Sequence, residues 1–160
     1  MKNSSSVEFL SQQSSERMLY LTSAQVGLLN QAVESSYPRE GCGFLLGKQE
    51  GKRRFVSEIV SVPNQHAGNQ QNRFLIEAKE ILRVERYARE NQFTILGVYH
   101  SHTDHPAIPS RLDHESAWPA WSYLILSVEQ GQVCEQRSWV LNAQDQFAEE
   151  RLLLHQPTIG

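Results

Sequence analysis

The sequence predicts an α+β fold, in which a mixed, mostly antiparallel β-sheet is flanked by helices within a single domain. A chain of 160 residues is the usual size of one domain, and its 39% hydrophobic content is enough to form a core. Segments with strand character and segments with helical periodicity follow one another without an internal repeat. Short turns between apolar segments favour hairpins, which are antiparallel.

The first element after a polar N-terminal segment is predicted to be a strand over residues 18–21. Residues 1–17 are rich in Ser, Gln and Glu, which predicts a disordered tail. Thr22 or Ser23 should cap a helix that ends before Pro38, because the residue before a proline is disfavoured in the α region. The apolar residues of this helix recur near helical spacing at Val26, Leu29 and Val33.

The middle of the chain predicts a hairpin, a loop and a second helix. Residues 39–47 form an apolar segment punctuated by glycines, which suits a buried strand that other backbone approaches closely. This strand should pair with a second strand over 54–62 across a tight turn. A polar loop follows, and residues 73–76 are predicted to be a short strand. Residues 77–90 alternate apolar and charged positions as an amphipathic helix does.

The last third predicts a strand over 93–99 that leads into a pair of histidines. A short helix should cover 110–117, and residues 123–128 and 133–141 should form another hairpin across Gln130-Gly131. The pattern of 146–154 fits either a strand or a helix. The domain is therefore predicted to span 18–154, with a C-terminal tail over 155–160.

The overall charge and composition restrict the classes of partner. The chain has 15 Lys and Arg against 18 Asp and Glu, so neither nucleic acid nor a membrane is expected as a partner. The apolar runs are far shorter than the ~20 residues of a membrane-spanning helix. The N-terminus is polar, and the only two cysteines, Cys42 and Cys134, lie far apart. These features predict a cytoplasmic protein.

The segment from Gly97 to Asp113 contains a candidate metal site. His100 and His102 are separated by one residue at the end of a predicted strand, so their side chains project to the same side. A catalytic zinc needs three protein ligands and one open position, and Asp113 would complete the set. The intervening loop contains two prolines, which limit its freedom as it folds back over the strand end. This donor set predicts Zn²⁺ as the cofactor and hydrolysis as the chemistry.

Hydrolysis at such a site also requires a proton carrier that does not bind the metal. Glu40 lies at an element boundary, between Pro38 and the glycine-rich segment that begins at Gly41, where a side chain can point into a cleft. Composition alone does not distinguish Glu40 from the other acidic residues.

The complete pattern resembles the JAMM (MPN+) zinc metallopeptidase family in its small prokaryotic form. The motif of that family is an upstream Glu, then His-x-His, seven residues, Ser, two residues and Asp. Glu40, His100, His102, Ser110 and Asp113 fill every position. The likeness extends over roughly residues 18–141 and includes Ser61-Val62-Pro63-Asn64, Arg73-Phe74 and the segment Trp118 to Ile125. It implies a mixed sheet of the kind shared with cytidine deaminases.

The resemblance also implies roles for these residues. His100, His102 and Asp113 would bind zinc, Glu40 would carry the proton, and Ser110 would donate a hydrogen bond to the oxyanion. Substrates in the family are peptide or isopeptide bonds after the C-terminal Gly-Gly of ubiquitin-like or sulfur-carrier proteins, whose extended tail would enter a narrow groove as an added strand. The chain is too short for the insertions of eukaryotic deubiquitinases, so chain-linkage specificity is not implied. The alternative function is a non-catalytic MPN-type binding module or scaffold.

Several of these residues also have competing interpretations. Ser110 and Asp113 together match a capping box at a helix start. Cys42 could be a nucleophile, although a cysteine in a glycine-flanked apolar run is more often a small buried residue. His105 is a candidate for a residue that contacts a metal ligand without binding the ion. Asp104 follows its histidine too closely to reach the ion easily. Trp118 and Trp121 would form core or cleft wall, and one of them could line the groove for the tail.

Overall fold

A computed structural model of the protein describes residues 14–71 and 74–156. Its elements in chain order are β1 (Ser14–Leu21), α1 (Ser23–Ser36), β2 (Cys42–Glu50), β3 (Arg53–Val62), α2 (Ala78–Glu90), β4 (Thr94–Thr103), α3 (Arg111–Glu115), β5 (Ser122–Glu129), β6 (Gln132–Leu141) and β7 (Phe147–Leu154). Seven strands and three helices make up the described part of the chain, and several strands follow one another directly, which confirms the predicted α+β class. No helix in the described part of the chain is long and apolar enough to cross a membrane.

The strands form one closed barrel in the order β1, β3, β2, β4, β5, β6, β7. Strand β1 pairs in parallel with both β3 and β7, and β4 pairs in parallel with β5. The other neighbouring strands are antiparallel. The sheet is therefore mixed, as predicted, but its antiparallel majority is narrow and its closure was not predicted. Closure depends on β7, the segment whose local pattern fitted either a strand or a helix.

Two local predictions need correction. Strand β1 begins at Ser14, so the predicted tail over 1–17 does not extend to residue 17; residues 1–13 of that tail, and 157–160 of the predicted C-terminal tail, lie outside the described residues. The predicted short strand at 73–76 is absent from its described part, Phe74 to Ile76. There the Asn64 side chain accepts a hydrogen bond from the Leu75 N–H at 3.1 Å. The Asn64 side chain thus supplies the hydrogen-bond acceptor that a neighbouring strand would otherwise supply.

Helix α1 begins and ends where the sequence predicts. Thr22 Oγ1 accepts a hydrogen bond from the Gln25 N–H at 3.2 Å, and Gln25 Oε1 accepts one from the Thr22 N–H at 2.9 Å. This reciprocal capping box selects Thr22 rather than Ser23 as the cap. The helix ends at Ser36, before Pro38.

Strand β2 is covered on both faces, which explains its continuous apolar run. Leu45 lies in one core cluster with residues of α1, whereas Phe44 and Leu46 lie in a second cluster with residues of α2. The helix residues of these clusters are Leu29 and Val33 of α1, and Val84 and Ala88 of α2. A Cβ atom at Gly43 would collide with the Val60 carbonyl oxygen. The predicted close approach of backbone to this strand is therefore confirmed.

A buried polar network crosses the barrel strands. Arg54 is 2% exposed and donates to Leu96 O at 3.0 Å, to Ser122 Oγ at 2.8 Å and to Ala120 O at 2.6 Å. Glu150, also 2% exposed, accepts hydrogen bonds from the hydroxyls of Ser122 and Ser138. Because buried charges are costly unless they are paired and hydrogen-bonded, this network stabilises one arrangement of the strands.

Candidate metal centre

Strand β4 presents two buried histidines at one point. His100 and His102 alternate along the strand, their side chains are 1% and 2% exposed, and their Nε2 atoms lie 3.2 Å apart. The strand continues through both histidines to Thr103 because parallel pairing with β5 extends that far, with His100 opposite Ile125 and His102 opposite Ser127. The structure therefore fixes both imidazoles on a regular strand.

Asp113, on α3, brings a carboxylate to the same point. Its Oδ1 lies 3.2 Å from His100 Nε2, and its Oδ2 lies 3.1 Å from His102 Nε2. Zinc bonds of about 2.0–2.1 Å at tetrahedral angles set the donor atoms about 3.3 Å apart. The three donors have both the chemical type and the spacing of a zinc site, and residues His100, His102 and Asp113 form a group that could hold a metal ion.

The hydrogen bonds of His102 are compatible with a bound cation at this point. Its Nδ1 lies 2.7 Å from Pro106 O, and only a protonated nitrogen can bond a carbonyl oxygen. In the neutral ring Nε2 then carries a lone pair directed at Asp113 Oδ2, which is also an acceptor. Acceptors that converge without a donor repel one another, and a cation between them removes the repulsion. The Pro106 contact is the kind of outer contact that orients a metal-binding histidine.

Asp113 also caps the helix that carries it. Ser110 Oγ accepts a hydrogen bond from the Asp113 N–H at 3.1 Å, and the Ser110 N–H donates to Asp113 Oδ2 at 2.8 Å. Both halves of the predicted capping box are present. Burial would raise the pKa of the Asp113 carboxyl, but nearby positive charge at His100 and the hydrogen bond from the Ser110 N–H hold it well below its usual range. Asp113 is therefore ionised at neutral pH, as a metal ligand must be.

Glu40 lies beside the trio of His100, His102 and Asp113, just before β2. Its side chain is 3% exposed, and burial raises the pKa of its carboxyl to about 8. His105 Nε2 lies 3.8 Å from Glu40 Oε1, and the His105 ring stacks on His102 with centroids 4.1 Å apart. The sequence interpretation that placed Glu40 and His105 near the centre is consistent with these positions.

A mainly apolar cleft with a volume of about 430 Å³ opens on the trio. Phe74 stacks on His100 with centroids 4.4 Å apart, and Trp118 stacks on Trp121 at 5.6 Å. Trp118 is 57% exposed and forms a wall of the cleft, whereas Trp121 lines the cleft and also packs against the second core cluster. The other apolar side chains in the lining are Phe44, Leu75, Ile76, Ile81, Val98, Leu112 and Tyr123, with Ser110 among the polar ones. The cleft is suited to an extended apolar segment.

Two other candidate residues have different roles. Cys42 is 3% exposed and its thiol donates to Val62 O at 3.7 Å, while burial raises the pKa of that thiol to about 12. A thiol that stays protonated is a poor nucleophile, so the alternative of a cysteine hydrolase is not supported. Asp104 accepts hydrogen bonds from the Tyr37 hydroxyl at 2.7 Å and the Gln130 N–H at 2.9 Å. It therefore holds the loop after β4 instead of reaching the trio.

Sequence reasoning missed the contacts that hold the centre in place. The sequence predicts that Phe74 belongs to a short strand, and the residues next to it in the chain do not indicate that it stacks on His100. Ser101 lies between the histidines and points to the opposite face, where its Oγ accepts a hydrogen bond from the Gly41 N–H at 2.8 Å. Strand alternation could have indicated the direction of Ser101, but not its partner.

The fold and the centre together define a small α+β domain with a candidate metallohydrolase site, in which strand histidines, a helix aspartate and a separate buried glutamate converge. Residues 24–142 match the family described as prokaryotic homologs of the JAB domain, and the chain belongs to this family. The resemblance to small prokaryotic JAMM-type proteins is thereby confirmed.

Individual relatives are similar over most of the chain. A desampylase from Pyrococcus furiosus is 30% identical over 126 residues, which cover 76% of this chain and 81% of the relative. A desampylase from Haloferax volcanii is 27% identical over 117 residues, covering 71% and 82%. A probable TtuB-protein conjugate cleaving protease from Thermus thermophilus is 27% identical over 92 residues, which is 58% of each chain.

Solved structures agree with the fold. The solution structure of a protein from Desulfitobacterium hafniense has a TM-score of 0.78 at 28% identity and covers 89% of this chain and 96% of its own. The solution structure of a protein from Salinibacter ruber has a TM-score of 0.67 at 29% identity, covering 88% and 92%.

Proposed function

We propose that this protein is a zinc-dependent peptidase or isopeptidase that hydrolyses the bond after the C-terminal Gly-Gly of a ubiquitin-like or sulfur-carrier protein. The observation that carries the proposal is the convergence of His100, His102 and Asp113 as buried acceptors beside the buried carboxyl of Glu40. The names of the relatives support the choice of substrate, since two are desampylases and one is a probable protease of TtuB-protein conjugates.

The proposed metal ligands are His100 Nε2, His102 Nε2 and a carboxylate oxygen of Asp113. Zinc held by this set would supply Lewis acidity, which acidifies water and polarises a carbonyl group. The Pro106 carbonyl fixes the tautomer of His102, and Phe74 restricts the rotation of His100 by stacking on it. Both contacts restrict the orientation of the proposed donor atoms.

Glu40 and Ser110 supply the remaining chemistry in this proposal. Ionised Glu40 takes the proton from the attacking water and passes it to the leaving amine, for which its position beside His100, His102 and Asp113 suits it. The positive charge of zinc held by those residues would favour the ionised form of Glu40, against the effect of burial. Ser110 Oγ accepts from the Asp113 N–H, which leaves its own O–H free to donate. That donor faces the cleft, where it stabilises the oxyanion that forms as the carbonyl is attacked.

The partner in this proposal is a β-grasp protein with a Gly-Gly terminus, or its conjugates, and the reaction takes place in the cytoplasm. An apolar cleft between Trp118 and Phe74 suits a tail without bulky side chains. Cys42 and Cys134 are both free thiols, which suits a reducing compartment.

A cleavage assay with zinc-loaded protein and a Gly-Gly-terminated β-grasp fusion tests the function. We expect cleavage after the second glycine by the wild-type chain and none by Glu40→Gln, with about one zinc per chain in both, because Glu40 is not a ligand. Full activity of Glu40→Gln would rule out Glu40 as the proton carrier. Binding of the fusion by the wild type without any cleavage would instead support a non-catalytic binding module.

A further inference from the structure

The backbone of Glu40 is held by the loop that follows β3. The Glu40 N–H donates to Gln70 O at 2.7 Å, and the Glu40 carbonyl oxygen accepts from Asn64 Nδ2 at 3.0 Å. Both peptide groups of the proposed proton carrier are therefore bonded to one loop. Asn64 lies just after β3, whose last residue, Val62, pairs with Cys42 at the start of β2. This pairing brings the loop alongside Glu40.

The same Asn64 side chain holds the wall of the cleft. Its Oδ1 accepts hydrogen bonds from the N–H groups of His66 and Leu75, both at 3.1 Å. Leu75 lines the cleft, and its neighbour Phe74 stacks on His100. One amide group thus connects the residue proposed to carry the proton with the segment that packs against a proposed ligand.

The rest of the loop is braced around Asn64. Gln70 Nε2 donates to Asn64 O at 3.1 Å and to His66 O at 2.9 Å. At the far end of the loop, Gln71 O accepts a hydrogen bond from the Thr103 hydroxyl, at the end of the strand that carries both histidines. Three hydrogen bonds therefore tie the loop to the candidate centre, one of them made by Asn64. Asn64 also bonds Leu75 within the loop.

We propose that Asn64 is a positioning residue for the hydrolytic centre: its Nδ2 fixes the backbone of Glu40, and its Oδ1 fixes the cleft wall at Leu75. This inference rests on the proposed function. The two atoms of the amide have separable tasks, because the donor acts on the proton carrier and the acceptor acts on the wall that a substrate would contact. A misplacement of about 1 Å in a supporting group can cost about a hundredfold in rate.

Two substitutions separate these tasks. Asn64→Asp keeps the acceptor for Leu75 but places an oxygen against the Glu40 carbonyl, so we expect kcat to fall between about tenfold and a hundredfold, with KM and zinc content unchanged. Asn64→Ser removes the hydrogen bonds to both Glu40 and Leu75 without adding a charge, so kcat should fall and KM should rise. Asn69→Asp is the matched control, because Asn69 is an exposed residue of the same loop whose Oδ1 accepts from the Gln71 N–H rather than from Leu75.

Amide hydrogen exchange, monitored by NMR, provides a readout that needs no substrate. In Asn64→Asp the amides of Glu40 and Gly41 should exchange faster while Leu75 stays protected, and in Asn64→Ser all three should exchange faster. Unchanged kcat and unchanged exchange at Glu40 in both variants would overturn the proposal, and so would a rise in KM alone. If the wild type cleaves no Gly-Gly substrate, the proposed function fails, while the exchange pattern still decides whether Asn64 positions Glu40. Should Asn64→Asp not fold, Asn64→Ser alone decides the question by the same criteria.

Discussion

Gly41 and Ser101 exchange a reciprocal pair of hydrogen bonds: the Gly41 N–H donates to Ser101 Oγ at 2.8 Å, and the Ser101 N–H donates to Gly41 O at 3.0 Å. Gly41 follows the proposed proton carrier, and Ser101 lies between the two proposed histidine ligands. This short connection between β4 and the segment before β2 thus helps to set the distance between the proposed acid-base group and the proposed metal site.

Replacement of Ser101 by alanine removes half of this connection. Ser101 is fully buried, so the Gly41 N–H is left without its acceptor. We expect kcat to fall at least about tenfold, because positioning of the proton carrier is lost, while zinc content stays at one per chain. Steady-state kinetics and metal analysis measure the two quantities. Ser57→Ala, an exposed serine on β3, is the control and should match the wild type.

Replacement of Asp113 by asparagine tests the ligand set. An asparagine still accepts the hydrogen bond from the Ser110 N–H, so α3 keeps its cap, but the negative charge at the centre is lost. Changes to outer contacts of zinc ligands typically weaken binding about 10–100-fold, and loss of a ligand charge should cost at least as much. Competition with a chelator measures the affinity. Asp145→Asn changes an exposed aspartate that makes no contact with the trio, and an equal loss of zinc there would contradict the assignment.

Removal of zinc should lower thermal stability. Metal that binds only the folded state stabilises it by about 2.7 kcal/mol at a hundredfold excess over its Kd. We therefore expect a chelator to lower Tm by several degrees in the wild type, as followed by circular dichroism. The same treatment should leave the Tm of His100→Ala unchanged, since that variant lacks the site. An equal chelator effect on both proteins would place the stabilising ion elsewhere.

The two cysteines should react differently with alkylating reagents. Burial raises the pKa of the Cys42 thiol to about 12, so Cys42 stays protonated throughout the range from pH 7 to pH 9, whereas Cys134 is exposed. Mass spectrometry after iodoacetamide treatment should find label on Cys134 alone, with full peptidase activity retained. In denaturant both residues should be labelled. Loss of activity that follows modification of Cys42 in the folded protein would revive the cysteine-hydrolase alternative.

The buried network around Arg54 predicts a large effect on stability. Arg54→Met removes one of the cations near the buried Glu150 and leaves the acceptors of Arg54 at Leu96, Ala120 and Ser122 without their donor. Breaking a buried charged network typically costs about 3–5 kcal/mol. Urea denaturation measures this change in the free energy of unfolding. The adjacent Arg53 is exposed, and Arg53→Met should change stability by less than about 0.5 kcal/mol. Similar values for both variants would mean that the network does not stabilise the barrel.

Local sequence patterns predicted the features that depend on residues close together in the chain. The cap at Thr22, the glycine-spaced strand β2 and the common direction of His100 and His102 all follow from short-range rules. Glu40 could not be distinguished from other acids by composition, and only the family motif identified it. The hydrogen bonds from Asn64 to Glu40 and Leu75 join segments that are distant in sequence, so no periodicity reveals them.

The burial of Arg54 was not predicted from the sequence either. Arg54 follows Arg53 and precedes Phe55 in a segment where alternation alone predicts that every second residue faces inward. Its acceptors, however, come from β4, from β5 and from the segment before β5. Without the order of the strands, nothing indicated that an inward arginine would find partners there. The closure of the sheet was missed for the same reason, since it requires β1 and β7 to meet in parallel.

That closure constrains how the protein can recognise a peptide. Every described strand has two neighbours, so closure leaves little free sheet edge. Strand β3, however, pairs with β1 only at Arg53, Arg54 and Phe55, so its residues 56–62 have no strand neighbour on that side. Strand addition of the kind that the sequence interpretation expected of a tail is therefore restricted to such short unpaired stretches. The same closure shortens the row of free amide and carbonyl groups through which sheet proteins associate edge to edge.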